Sequence, residues 1–246
     1  MDRAFPIGPE VDSSPAKRPE RITLEGAWVR LTPLDAARHS DALWSGTGGG
    51  ANESLWRYMA DGPFPDRTLL DGSLTAKAAS EDPLFYAIVD RASGPALGCA
   101  ALMRIEPKHR VIEVGNIVYA QALQRTRGAT ESMYLLARYV FEDLGYRRYE
   151  WKCDALNQPS RTAALRLGFS FEGVFRQHMI IKGRNRDTAW FSMLDSEWPL
   201  RKREFERWLA PSNFDPEGRQ KTSLRTNTIS GTPAGLFRPM QQENGL

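Results

Sequence analysis

The residue types most able to do chemistry cluster around one loop in the middle of the chain. A run of alternating apolar residues, Val111–Tyr119, carries Glu113 and leads into the polar segment Gln124–Thr130, which reads Gln-Arg-Thr-Arg-Gly-Ala-Thr. An apolar stripe at helical spacing follows, formed by Met133, Leu136, Ala137, Val140, Phe141 and Leu144. A basic loop between a strand and a helix offers free backbone N–H groups and the positive end of a helix dipole. The pattern therefore predicts a binding site for a phosphate group.

A second strand and a second helix must lie beside this loop. The strand is the aromatic run Arg147–Asp154, and the helix begins near Asn157 and closes on Leu167-Gly-Phe169. Asn157 is a suitable N-cap, and Pro159 falls in the first turn, where a missing N–H costs little. Capping and a role in the site are both open for Asn157, because a cap can also contact a ligand.

The order of these motifs resembles the GCN5-related N-acetyltransferase (GNAT) superfamily, and within it the ribosomal-protein alanine acetyltransferases of the RimJ/RimL type. The resemblance covers roughly residues 22–198. Its motifs are Glu113-Val-Gly-Asn-Ile117, Ala129-Thr-Glu131, Asn157-x-x-Ser160 and Leu167-Gly-Phe169-x-x-Glu-Gly173. It implies an α/β (α+β) fold, in which helices flank a mixed central sheet and a splayed strand pair holds the cofactor. It also implies acetyl transfer from acetyl-CoA to an amine by direct attack, without an acyl-enzyme. No metal is expected.

The resemblance also assigns cofactor contacts. They are Ile117, Val118, Tyr119, Gln124, Arg125, Thr126, Arg127, Gly128, Ala129, Thr130, Asn157 and Ser160. The family loop usually reads Gln/Arg-x-x-Gly-x-Gly/Ala, and here Arg127 stands where the first glycine belongs. The alternative frame, Arg125-x-x-Gly128-x-Thr130, keeps the glycine but loses the last small residue. We expect the backbone contacts to survive if the Arg127 side chain points away from the ligand.

The expected catalytic residues are Glu113, Ser160 and Asn157. Glu113 is the candidate base for the acceptor ammonium, although an exposed strand carboxylate would give the same pattern. The tyrosine acid common in the superfamily is replaced by Ala164. Ser160 is the first candidate acid, with Tyr119 or water as alternatives, and a backbone N–H near Val118 is expected to stabilise the oxyanion.

For the acceptor, we expect His178, Arg176 and Trp56 to contribute, although a turn position for His178 and core packing for Trp56 also fit. The acceptor is either a protein or peptide N-terminus or an amine-bearing small molecule. A non-catalytic acyl-CoA-binding or regulatory module is the main alternative. A nucleic-acid binder that uses the arginine-rich loop is a weaker one.

Composition further narrows the class of protein and its expected partners. The net charge of +3 suits one local anionic site better than broad nucleic-acid binding. No apolar run approaches the roughly 18 residues that cross a bilayer, and the N-terminus lacks a signal-peptide pattern.

Cys99 and Cys153 lie in apolar strand-like runs, which predicts a reduced cytoplasmic protein with structural cysteines. The three histidines show no metal-ligand spacing. We expect no membrane or nucleic-acid partner, and a homodimer stays open.

We predict a flexible arm over residues 1–20, one folded domain over 21–210 and a flexible tail over 211–246. The predicted elements of the domain are a hairpin over 22–31, helices over 34–45 and 52–59 with a mobile glycine-rich stretch between them, and strands over 84–89 and 97–103. Three late strands are predicted over 169–176, 179–182 and 188–194, the last two joined by a turn over 183–187. The mostly antiparallel order predicts a mixed sheet.

Overall fold

One mixed sheet of eight strands runs through the centre of the computed structural model, which describes residues 7–224. Its order is β1-β2-β3-β4-β5-β6-β8-β7. Neighbouring strands pair antiparallel except β5 and β6, which pair parallel. The strands are β1 (Leu24–Glu25), β2 (Val29–Pro33), β3 (Leu84–Asp90), β4 (Ala96–Glu106), β5 (Val111–Tyr119), β6 (Arg148–Asp154), β7 (Ser170–Ile181) and β8 (Arg184–Leu194). The predicted mixed α/β architecture is confirmed.

Helices cover both faces of the sheet. They are α1 (Ala36–Thr47), α2 (Arg67–Ala79), α3 (Arg127–Arg138, continued by a π-helical turn over Tyr139–Asp143), α4 (Gln158–Arg166) and α5 (Trp198–Leu209). Short 3₁₀ turns cover Gly50–Trp56, Pro107–His109 and Pro211–Asn213. Successive side chains of β3 point to opposite faces of the sheet and so pack against different helices. Phe85 packs with α1 and α2, whereas Tyr86 packs with α3 and α5.

A buried carboxylate fixes α3 against the first hairpin. Glu131 is 4% exposed and accepts hydrogen bonds from the backbone N–H groups of Ala27, Trp28 and Val29, at 2.8, 2.7 and 2.9 Å. Three donors satisfy a charge that would otherwise be costly to bury. At the other end of the helical segment, Gly145 has φ +77°, the left-handed cap that the sequence predicted.

Two regions differ from the predicted elements. The late strands over 169–176 and 179–182 are one strand, β7, because two bulges let it bend without breaking its pairing with β8. The turn is only Lys182 and Gly183, both with positive φ, so Arg186 lies on a strand. The second difference is around the glycines: α1 extends through Thr47, a 3₁₀ turn replaces the helix predicted over 52–59, and α2 was not predicted.

The two ends of the described chain lie against the domain to different degrees. Backbone N–H groups of Ala16 and Lys17 bond to the carbonyls of Pro107 and Leu144, although residues 7–20 are mostly exposed. Beyond the predicted boundary at 210, Phe214 and Leu224 are 8% and 7% exposed and belong to the core. The rest of the predicted arm and tail lies outside the described residues, so the domain boundaries stay a prediction. Within 7–224, no helix is long and apolar enough to cross a membrane.

Candidate active site

The parallel strands β5 and β6 separate at one end and leave a gap. Their pairing runs from Val111 opposite Arg148 to Val114 opposite Trp151 and stops there, although both strands continue. Just beyond this point Asn116 has φ +51° and the β4–β5 register shifts, which marks a bulge. A cavity of about 1660 Å³ opens at the gap. The predicted splayed strand pair is therefore confirmed.

The loop before α3 forms one wall of this cavity. Thr126 is the N-cap, and its hydroxyl accepts from the Ala129 N–H at 3.2 Å. The first N–H groups of a helix have no acceptor within it, so they remain available to an anion. The predicted loop residues that line the cavity are Gln124, Arg125, Thr126, Arg127, Ala129 and Thr130.

Gly128 lies against β2 and is not among the residues that line the cavity. A Cβ at this position would come within 2.7 Å of the Val29 Cγ1 atom. The glycine thus allows α3 to approach the sheet closely, and only its backbone can serve the loop.

The unusual arginine of the loop is held by two aromatic rings. The Arg127 guanidinium carbon lies 3.7 Å from the centroid of the Trp28 ring and 4.7 Å from that of Phe214. Because these rings occupy the side chain, the backbone at this position can do what a glycine does in the usual motif. The loop, the helix N-terminus and the gap therefore fit a ligand that carries phosphate at one end and an extended arm at the other.

The backbone of β5 presents alternate residues to the gap. Val118 pairs with Cys99, and its carbonyl lies against Gly98, so its polar groups face β4. The backbone groups of Ile117 and Tyr119 therefore face the gap, and the Tyr119 carbonyl accepts from Gln124 Nε2 at 3.0 Å. These neighbours, not Val118 itself, offer N–H groups to the cavity.

Tyr119 also presents its phenol to α3. The hydroxyl lies 3.1 Å from Ser132 Oγ and 3.4 Å from the Ala129 carbonyl. Burial raises its pKa above the ordinary tyrosine value, which makes the proton harder to release. This geometry does not favour Tyr119 as the acid.

The start of α4 forms the opposite wall. Asn157 caps the helix, since its Oδ1 accepts from the Ser160 N–H at 3.2 Å, and the predicted cap is confirmed. Ser160 Oγ accepts from the Trp151 indole at 3.0 Å, and both residues line the cavity. The neighbouring Cys153 is buried, and burial raises the pKa of its thiol, which disfavours a nucleophilic role.

The most charged part of the cavity surrounds Glu113. This side chain is 5% exposed, so it is not the exposed strand carboxylate that the sequence left open. Its Oε2 lies 3.0 Å from Arg104 Nε and 3.0 Å from Lys152 Nζ, and Lys152 also contacts Glu150 Oε2 at 2.7 Å. Burial raises the pKa of Glu113, while Lys152 and then Arg104 act in the opposite direction. A raised pKa suits a group that must bind and release a proton near neutral pH.

One of the three expected acceptor residues lines the cavity. His178 does so, and its Nδ1 lies 2.9 Å from Thr188 Oγ1. Burial lowers the pKa of His178, and the charges of Arg104, Arg186 and Lys152 act in the same direction. The ring is therefore neutral near neutral pH.

The other two expected acceptor residues lie elsewhere. Arg176 is exposed and does not line the cavity. Trp56 is 2% exposed, packs edge-on against Phe64 at 4.7 Å, and donates its indole N–H to the Thr47 carbonyl. It is a core residue because its strongly apolar ring has a complete set of partners there. Four residues close to Trp56 in the sequence line the cavity instead, namely Leu55, Tyr58, Met59 and Ala60.

Sequence reasoning missed two cations that contact Glu113. Lys152 could have been found, because it alternates with Glu150 on a strand and so lies on the same face. Arg104 could not, because its contact depends on an irregular register between β4 and β5 and on its own φ of +48°.

Comparison with known proteins identifies the family. The sequence profile of the acetyltransferase (GNAT) domain matches residues 29–170, more than half of the chain. The chain therefore belongs to the GNAT acetyltransferase family, as its motifs predicted.

Individual relatives agree with this assignment. The crystal structure of a GCN5-related N-acetyltransferase from Brucella melitensis is 49% identical, with a TM-score of 0.85, over 87% of this chain and 96% of that one. A structure from Chromobacterium violaceum ATCC 12472, provisionally described as a GNAT-family acetyltransferase, is 39% identical with a TM-score of 0.73, over 81% of this chain and 100% of that one. YdaF of Bacillus subtilis (strain 168), provisionally named a ribosomal N-acetyltransferase, is 28% identical over 43% of this chain and 57% of its own length. The description of YdaF agrees with the predicted RimJ/RimL-like branch.

Proposed function

We propose that this protein is an N-acetyltransferase, which moves an acetyl group from acetyl-CoA to a primary amine of a protein or peptide N-terminus or of a small molecule. The observation that carries the proposal is the buried Glu113 carboxylate, which lines the same cavity as the loop before α3 and the gap between β5 and β6. A base, an anion site and a channel for an extended arm are thus combined in one space.

The residues that would hold the cofactor follow from this arrangement. The N-terminal N–H groups of α3 and the charge of Arg125 would hold the pyrophosphate. Ile117, Tyr119, Asn157 and Ser160 would line the arm that reaches into the gap. When bound, acetyl-CoA supplies the thioester whose carbonyl carbon the amine attacks.

In the proposed reaction, Glu113 takes a proton from the acceptor ammonium. The amine nitrogen forms a bond to the carbonyl carbon, and the carbon–sulfur bond breaks. The backbone N–H of Ile117 or Tyr119 stabilises the negative charge on the carbonyl oxygen. The nitrogen loses its second proton as the amide forms, and Ser160 or water relays that proton to the thiolate, which is a tolerable leaving group near neutral pH. Holding both substrates in one cavity supplies much of the rate.

The test is a Glu113→Gln variant, assayed by thiol release with peptide and small amines and by acetyl-CoA binding. Loss of a general base should lower kcat/KM about 10²- to 10⁴-fold, while the Kd for acetyl-CoA stays within a few-fold of the parent value. Glu53→Gln is the matched control, because Glu53 is an exposed carboxylate outside the cavity and should change neither quantity. Activity of Glu113→Gln equal to that of the control would remove Glu113 from the mechanism.

A second candidate function rests on α4. Ala164 is 0% exposed and occupies the place where the superfamily resemblance implies a tyrosine acid. A non-catalytic acyl-CoA-binding module would bind acetyl-CoA with the same affinity in the parent and in Glu113→Gln. It would release no thiol with any amine.

A further inference from the structure

One guanidinium in the cavity wall lacks the partners that its neighbours have. Arg186 lies on β8 and lines the cavity, and its Nε is buried without a hydrogen-bond partner among residues 7–224. Arg104 and Lys152, in contrast, both pair with Glu113. Buried donors on charged groups normally have hydrogen-bond acceptors. The Arg186 guanidinium is therefore suited to bind an acceptor atom of a ligand.

The position of Arg186 relative to the base follows from the strand register. On β8, Arg186, Thr188 and Trp190 point to the same face of the sheet. Trp190 pairs with Lys152 of β6, and the Lys152 ammonium lies 3.8 Å from the centroid of the Trp190 ring and 3.0 Å from Glu113. Arg186 lies four residues before Trp190 on β8, about 13 Å from it between Cα atoms, and the Trp190 ring is linked to Glu113 by the Lys152 ammonium.

The charge of this region also favours an anion. Nearby Asp154 lines the cavity too, but its carboxylate accepts from the Leu156 N–H at 2.8 Å in its own loop. The carboxylate of Asp187 lies on the alternate side of β8 and accepts from the Gln177 N–H at 2.7 Å. Neither carboxylate is bonded to Arg186.

From this geometry we propose that Arg186 binds a carboxylate of the acceptor, and that the acceptor is a peptide N-terminus with an acidic side chain at its second or third residue. The inference rests on the proposed acetyl transfer, because it places the acceptor amine at Glu113. With the reach of the arginine side chain, the gap between amine and anion is on the order of 7–13 Å, and an extended peptide covers about 3.3–3.6 Å per residue. A free amino acid is too short, because its amine nitrogen lies only about 2.5 Å from its carboxyl carbon.

The test compares peptides that differ only by aspartate or asparagine at the second or third residue. The parent protein should acetylate the aspartate peptide with a kcat/KM about 10- to 100-fold higher, the effect of a charge-assisted hydrogen bond. Arg186→Gln should remove this preference, while its kcat/KM for the asparagine peptide and its Kd for acetyl-CoA stay within about threefold of the parent values. Arg176→Gln is the matched control, because that exposed arginine of β7 lies outside the cavity, and it should keep the preference.

A binding measurement separates failure of this inference from failure of the proposed function. Fluorescence polarisation of the labelled aspartate peptide, with CoA present, needs no turnover. Preferential binding that Arg186→Gln removes would support the carboxylate site even if no thiol were released. Equal binding and equal turnover of the two peptides by the parent protein would overturn the proposal. So would an aspartate preference that survives in Arg186→Gln, or a small amino acid that is a better acceptor than either peptide.

Discussion

The buried charge cluster predicts a large and pH-dependent effect of removing its central cation. The Lys152 side chain is 4% exposed and lies 3.0 Å from Glu113 and 2.7 Å from Glu150. Within residues 7–224, Lys152→Met would leave these two buried carboxylates with only Arg104 and Arg148 as ionic partners. Breaking a buried pair in this way costs about 3–5 kcal/mol. For a chain of this size, that lowers Tm by roughly 6–20 °C near pH 8.

The pH dependence of this loss has a definite sign. Burial raises the pKa of Glu113, and Lys152 is the first of the two cations that oppose the shift, so removing it raises the pKa further. A carboxyl group whose pKa is higher in the folded than in the unfolded state binds more protons when folded, and its contribution to stability falls as pH rises. The variant should therefore lose less stability at about pH 5, where Glu113 can take up a proton, than at about pH 8.

The assay is thermal and urea unfolding of the parent and the variant at both pH values, followed by tryptophan fluorescence. Lys202→Met is the matched control, because Lys202 is 33% exposed and pairs with Glu142 at 2.9 Å on the surface. It should lose at most about 1 kcal/mol at either pH. The reasoning is refuted if Lys152→Met is no less stable than this control, or if its loss is larger at pH 5.

Two further substitutions test the loop and the core. Arg127→Ala removes the stack on Trp28 and Phe214 and should lower the unfolding free energy by about 1 kcal/mol. It should weaken acetyl-CoA binding, measured by calorimetry, less than Arg125→Ala does; the reverse order would show that Arg127 contacts the phosphates directly. Trp56→Ala should cost about 3–5 kcal/mol in urea unfolding, because the ring is fully packed. A loss below about 1 kcal/mol there would contradict its place in the core.

Local patterns determined much of the fold and of the cofactor side of the site. The strand over Val111–Tyr119, the N-cap at Asn157 and the left-handed Gly145 depend on neighbours within a few residues, and the structure has each of them. The loop before α3 was predictable for the same reason. The anion site proposed there depends on the end of a helix, which sequence marks directly.

The proposed acceptor side of the cavity depends on tertiary structure. Arg104, Lys152 and Arg186 meet in one cavity because three different strands bring them there, and which residues face each other across a sheet depends on register and bulges. Tertiary structure also explains why Trp56 and Arg176 do not line the cavity. Their residue types suited a binding site, but the Trp56 ring is buried in the core and Arg176 is exposed on β7 outside the cavity. The sequence by itself determined the family, the elements from β5 to α4 and the loop before α3. Only the packed sheet decided that Lys152 and Arg104 meet at Glu113. Alternation places Lys152 on the same face as Glu150, but the strand register that brings both cations to Glu113 joins residues far apart in the chain.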